Sequence, residues 1–102
     1  MKRDVMTYRN IDISLLRTFV EVVETASVTE AAKRLNLTQP AISQHLKRLE
    51  DFLQRPLFKA KLRPKALSQD GEMLHGYATA MLRLNDEALT RLARPEVSGR
   101  II

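Results

Sequence analysis

A mainly α-helical fold is predicted for this 102-residue chain on three observations. Apolar residues recur at three- and four-residue spacing in four separate stretches. Leu, Ala, Arg and Glu are abundant and aromatics make up only 5% of the chain, so helix formers outweigh strand formers. Short polar residues able to start a helix (Asp12 or Ser14, Ser27 or Thr29, Thr38, Ser68) stand just before those stretches.

Residues 1–11 are mostly polar and carry no sustained period, and read as a flexible lead-in. Leu15, Leu16, Phe19, Val20, Val22 and Val23 then supply the apolar face of a first helix reaching about Thr25. Several are β-branched, so burial must offset weak propensity. Ala26-Ser27-Val28-Thr29 interrupts the pattern, and Ser27 or Thr29 caps a helix beginning near Glu30. Thr29 has a second possible role, as a phosphate contact at a helix N-terminus. Ala31, Ala32 and Leu35 give this short helix a stripe of small and large residues. Asn36 and Leu37 form a tight corner, Thr38 caps the next helix, and Pro40 sits in its first turn, where a missing N–H costs little.

That next helix divides cleanly into two faces. Ile42, Leu46, Leu49 and Leu53 recur at helical spacing and are expected inside. Gln39, Ser43, Gln44, Lys47 and Arg48 fall on the opposite side, with amides and a hydroxyl first and cations later. Gln pairs with adenine, Ser with several bases, and Lys or Arg with guanine or phosphate, so this face suits a DNA major groove. An ordinary amphipathic helix with a solvated face is the plainer reading. The short, small-residue helix in front of it favours the groove reading, because close packing of a preceding helix is what a helix-turn-helix requires. His45 borders the groove face and reads either as a further DNA contact or as a surface residue.

After Leu53, Pro56 prevents a return to helix, and Leu57 and Phe58 read as core anchors. Lys59 to Leu67 alternates cations with small or apolar residues. Two short extended segments about a turn near Leu62–Pro64 would make a small two-stranded wing; a solvated basic loop is the alternative. Ser68 caps a last helix to about Arg94, roughly 26 residues or ~39 Å. Leu74, Tyr77, Met81, Leu84 and Ala88 follow the alternating spacing of a coiled-coil seam, with Ala78, Leu82 and Leu89 as a second stripe. One stripe can pack on the chain's own domain; the other calls for a partner, most simply the same helix of a second subunit. Residues 95–102 read as a hinge and the start of a strand. The expected organisation is a winged helix-turn-helix over 12–67 and a long linker helix over 68–94.

The net charge of +5 is unevenly placed. Nine Lys or Arg and two acids fall between Lys33 and Lys65, which leaves the rest of the chain slightly acidic. Such confinement fits a polyanionic partner. An anionic membrane surface is the rival, but no stretch has the broad apolar face of an interfacial helix. No apolar run approaches a transmembrane span, and the sequence carries no signal-peptide pattern, so the cytoplasm is the expected location and no membrane partner is expected. With no cysteine there is no disulfide or thiolate chemistry. His45 and His75 lie in different helices with no metal-ligand spacing, and three glycines make no phosphate-cradling loop. No catalytic residue, metal site or cofactor is expected, and the chain does not read as an enzyme.

Taken together, Leu15-Leu16-Arg17-Thr18-Phe19, Ser27-Val28-Thr29-Glu30-Ala31-Ala32, Leu35, Thr38-Gln39-Pro40-Ala41-Ile42-Ser43, Leu46, Leu49-Glu50, Pro56-Leu57-Phe58, Arg63, Leu67-Ser68 and Gly71 resemble the N-terminal half of LysR-type transcriptional regulators. The resemblance covers about residues 12–94, and Leu84–Leu89 is similar to the branch containing the LrhA/HexA regulators. It implies a winged helix-turn-helix, a dimerising linker helix, and a separate effector-binding domain that lies outside this chain, through which a small molecule would act. It implies binding of interrupted palindromic DNA with a T…A core, by dimers that often pair into tetramers. Carried across by position, Gln39, Pro40, Ser43 and Gln44 would meet base edges. Thr29, Lys47 and the wing residues Lys59, Lys61 and Arg63 would meet phosphates. Two positions depart from the family pattern: Gln54 stands where Gly is usual, and Ala60 where Arg is usual, with Lys59 and Lys61 as candidate replacements for that arginine. A protein-interaction module built on the long helix, its basic region incidental, is the competing function.

Overall fold

The computed structural model describes residues 9–59 and 66–93, which form four helices: α1 (Ile13–Thr25), α2 (Val28–Leu35), α3 (Gln39–Leu53) and α4 (Gln69–Leu92). Each begins at a side-chain cap. Asp12 Oδ1 accepts the Ser14 N–H at 2.8 Å, Ser27 Oγ accepts that of Glu30 at 3.0 Å, Thr38 Oγ1 that of Ala41 at 3.2 Å, and Ser68 Oγ that of Gly71 at 2.9 Å. Asp12 and Ser27 therefore take the caps for which Ser14 and Thr29 were alternatives, and α2 starts two residues earlier than expected. Thr29 is left on the exposed first turn.

The helix ends follow one local rule. Ala26, Asn36 and Gln54 close α1, α2 and α3 in the left-handed region, at φ of 53°, 57° and 58°. At the α2–α3 corner the Leu37 N–H reaches back to Ala32 O at 2.9 Å and the Asn36 N–H to Lys33 O at 3.2 Å. This pair of bonds satisfies carbonyls that the helix end would otherwise leave orphaned. Asn tolerates the left-handed region well; Ala and Gln do so at a cost.

Helix α1 is the hub and packs on all three other helices, whereas α4 meets only α1 among them. Leu16, Phe19 and Val22 of α1, Ala31 of α2, Ile42, Leu46 and Leu49 of α3, Leu57, and Ala78 of α4 are fully or almost fully buried. The rings of Phe19 and Phe58 meet edge to face at 5.8 Å between centroids. Polar contacts sit at the margins of this core. The Arg17 guanidinium grips the Asp86 carboxylate with two bonds of 2.9 and 3.0 Å, pinning the start of α1 to the far half of α4. The Thr18 hydroxyl, buried beneath α3, donates to Ser14 O at 3.2 Å and meets His45 Nδ1 at 2.8 Å. Ahead of α1, the Arg9 guanidinium lies 4.4 Å above the Phe52 ring and donates to the Phe52 carbonyl.

Between α3 and α4 the chain is held by one connected set of bonds. Glu50 Oε2 accepts the Leu57 N–H at 2.8 Å, Leu57 O accepts the Ser68 N–H at 2.9 Å, and the Ser68 hydroxyl donates to Pro56 O at 2.7 Å. Gly71 lies directly under Leu57, where a Cβ would stand 2.0 Å from the Leu57 carbonyl oxygen. Among the described residues the expected two-stranded wing is not seen. Among the described residues there is a single antiparallel bridge, Phe58 with Leu67, and the Lys59 N–H bonds to Ala66 O at 2.9 Å. The turn near Leu62–Pro64 lies outside the described residues.

The seam expected on α4 is divided differently. Leu74, Ala78 and Leu82 are buried in the chain's own core, and Met81 packs against it. Leu74 is 9% exposed, so it faces the core rather than a free surface: α4 packs on α1, and Gly71 at its start closes on the Leu57 segment. Tyr77 and Leu84 are 65% and 56% exposed, and Ala88 is exposed too. Met73, Leu89 and Leu92 join them on the open side, and residues 87–93 are exposed throughout.

Candidate nucleic-acid interface

Gln39, Pro40, Ser43, Gln44 and Lys47 are all exposed along one side of α3, while Ile42, Leu46 and Leu49 are buried on the other. A shallow concavity runs along this side, lined by Thr38, Pro40, Ala41, Ser43, Gln44 and Lys47. The i, i+4 ladder of Gln39, Ser43 and Lys47 extends over about 12 Å of helix, the length of three to four stacked base pairs. Thr38 and Pro40 together make the ladder start abruptly. The cap ends the extended segment, and the proline adopts helical φ without an N–H to satisfy. Helix α2 packs against both α1 and α3, with its small residues Ala31 and Ala32 buried.

Thr29 joins this surface from α2. Gln39 Nε2 donates a hydrogen bond of 2.9 Å to Thr29 Oγ1, tying the first residue of α3 to the first turn of α2. Lys47 Nζ lies 3.2 Å from Asp51 Oδ2, an exposed pair one helical turn apart. Exposed pairs of this kind contribute about 0–1 kcal/mol, so a phosphate could displace the aspartate at little cost. Lys33 and Arg34 of α2 are similarly directed towards Glu30 at 3.7 Å and Glu21 at 3.5 Å. Arg48, Arg55 and Lys59 are exposed beyond the ladder. Lys61 and Arg63 lie outside the described residues, as does Ala60.

His45 turns away from the groove face. Its half-buried ring points to Thr18 and stitches α3 to α1. His75 packs its ring edge-on to Phe19 at 6.4 Å between centroids, with Nε2 3.9 Å from Glu24 of α1. Among the described residues no cluster of three or more His, Cys, Asp or Glu could hold a metal ion, and no helix is long and apolar enough to cross a membrane. Sequence reasoning missed three supporting contacts: Thr29 with Gln39, Arg17 with Asp86, and Glu50 with the Leu57 amide. Each joins residues from different turns or helices, so no local spacing announces it. The Lys47–Asp51 pair, four residues apart, was readable in principle.

Two short helices meeting at a Schellman-type corner, the second exposing a polar ladder and buried along its opposite side, define a helix-turn-helix module. Comparison with known proteins narrows the class. Residues 13–72 match the family described as "Bacterial regulatory helix-turn-helix protein, lysR family". The chain is 41% identical over 93 residues to the HTH-type transcriptional regulator DgdR of Burkholderia cepacia, covering 91% of this chain and 32% of that one. It is 38% identical over 92 residues to the regulator PecT of Dickeya dadantii, covering 90% and 29%. Among solved structures, the DNA-binding domain of BenM in complex with catB site 1 DNA superposes with a TM-score of 0.75 at 32% identity, covering 80% of this chain and 92% of that one. Full-length BenM superposes with a TM-score of 0.75 at the same identity, covering 82% and 28%. This chain belongs to the lysR family of bacterial helix-turn-helix regulators, and its relatives are transcriptional regulators, not enzymes. It spans about a third of the length of the two curated relatives named here.

Proposed function

We propose that this chain binds duplex DNA sequence-specifically through α3 and forms the DNA-contacting end of a transcriptional regulator. One observation carries the reading: Gln39, Ser43 and Gln44 stand exposed on a helix whose other side is sealed into the core. Gln39, Pro40, Ser43 and Gln44 meet base edges in the major groove. Thr29, Lys47 and Lys59 contact phosphates, together with Lys61 and Arg63. A dimer brings two such helices to successive major grooves on one face of an interrupted palindrome. Its contact is the open side of α4, where Tyr77, Leu84 and Ala88 of the expected seam lie with Met73, Leu89 and Leu92. Leu74 and Met81 instead brace α4 against its own head. The longer relatives leave room for an effector-binding domain beyond this segment, and DNA as partner places the protein in the cytoplasm at the nucleoid. Within the family, Leu84–Leu89 supports a position near the LrhA/HexA branch.

The exposed α4 side also suits the rival reading of a protein-interaction module, and one experiment separates the two. Selection of bound sites from a random duplex pool, followed by gel shift at low salt, should return an interrupted palindrome retarded by the wild-type chain. Retention of no fragment would sink the DNA-binding proposal and leave the helix-mediated interaction.

A further inference from the structure

We infer that Thr29 is a positioning residue that holds the Gln39 amide in the one orientation that reads adenine. The inference rests on the DNA-binding reading above. Gln39 Nε2 carries two hydrogens, and one is donated to Thr29 Oγ1 at 2.9 Å. What remains for a base is one N–H donor and the Oε1 acceptor. That pair matches the N7 acceptor and N6 amino donor of adenine in the major groove. With the amide turned the other way, Oε1 would face Thr29 and two N–H donors would face the base, the pattern that suits the O6 and N7 acceptors of guanine. A free hydroxyl could also donate to Oε1, but once its own hydrogen is given to a phosphate Thr29 Oγ1 can only accept, so on DNA this bond across the α2–α3 corner holds Nε2 towards Thr29 and sets which purine Gln39 prefers.

Thr29 is well placed to impose that choice. Its neighbours Val28 and Ala31 pack against or within the core, and Ser27 caps the same turn, so its backbone is anchored although its side chain is exposed. A glutamine free in solvent samples many rotamers and loses that freedom on binding; one already bonded to an anchored hydroxyl has lost much of it beforehand. Thr29 Oγ1 keeps its own hydrogen after accepting from Gln39, so it can still donate to a phosphate. The residue thus couples backbone grip to base choice.

The test uses the 102-residue chain and a site selected from a random duplex pool. Affinities are measured for that site and for versions with each A·T pair changed in turn to G·C, or with adenine replaced by 7-deazaadenine, which lacks N7. At one adenine the wild-type preference should fall about five- to tenfold in Thr29→Val, the lower part of the range for a good bidentate contact. Thr29→Ala should behave likewise, and Thr29→Ser should restore the preference. In a Gln39→Ala background, Thr29→Val should change no preference, and the 7-deazaadenine penalty should vanish. A uniform loss on all DNA reports the phosphate contact alone and cancels in these ratios. Ratios unchanged by Thr29→Val at every position would overturn the inference and leave the DNA-binding reading standing. Failure of the wild-type chain to select any site would overturn both.

Discussion

Replacing Gly71 by alanine would put a methyl carbon 2.0 Å from the Leu57 carbonyl oxygen and about as close as contact allows to the Leu67 side chain, at 3.1 Å. An ordinary carbon–oxygen approach is about 3.3 Å, so something must yield by roughly 1.3 Å. If α4 withdraws, Leu74 and Ala78 lose their packing on α1. If the Pro56–Phe58 segment withdraws, the bonds from Ser68 to Leu57 O and Pro56 O are lost. Two hydrogen bonds at about 1 kcal/mol each, plus about 1–3 kcal/mol for overpacking, give a destabilisation of roughly 3–5 kcal/mol. That is a large share of the 5–15 kcal/mol typical of a whole domain, and at 4–8 °C per kcal/mol it lowers Tm by at least about 12 °C. Gly76 supplies the control. It lies five residues further along the same helix, is exposed, and nothing stands within 4 Å of an added Cβ. Gly76→Ala should raise stability by about 0.5–1 kcal/mol, the ordinary gain for alanine over glycine inside a helix. Thermal and urea unfolding by far-UV circular dichroism, at one protein concentration, measures both. A Gly71→Ala protein within about 1 kcal/mol of wild type, with unchanged m, would show that the loop moves aside freely and refute the steric argument.

Three further outcomes are expected. Asp86 is held down to about 2 from its ordinary 3.8, first by the Arg17 hydrogen bonds and then by that of Asn85, so the pair's stabilisation is complete above about pH 4 and lost as pH falls towards 2. The Tm gap between wild type and Asp86→Asn should therefore hold constant near neutrality and close across that acid window; a gap that ignores pH would discount the ion pair. Gln54→Gly should stabilise by about 1 kcal/mol, because glycine adopts φ of 58° without a Cβ penalty, although the 2.7 Å bond from Gln54 Nε2 to Asp51 O is lost; urea unfolding reads the sign. Lys47→Ala should weaken binding to selected and random DNA alike and shallow the salt dependence by about one phosphate, whereas Ser43→Ala should reduce the preference for the selected site; equal losses from both on both DNAs would contradict these roles.

What the sequence determined by itself is local. Thr38 and Ser68 cap the helices expected of them, Asn36 turns the corner, and the apolar spacing of Ile42, Leu46 and Leu49 separates the buried side of α3 from the polar ladder. These follow from interactions within about one helical turn, which neighbouring residues suffice to specify. The lysR-family resemblance was equally readable, since it rests on residue types at fixed spacing. Only the tertiary structure decided which residues of α4 serve the chain's own core. The two stripes are alike in composition, and the approach of α4 to Leu57 at Gly71 selects Leu74, Ala78 and Leu82 for α1 while leaving Tyr77 and Leu84 open. The same holds for the inward turn of His45 to Thr18 and the bond from Gln39 to Thr29. Each joins groups ten or more residues apart, and their meeting is set by how whole helices pack, a property that no single stretch of sequence contains.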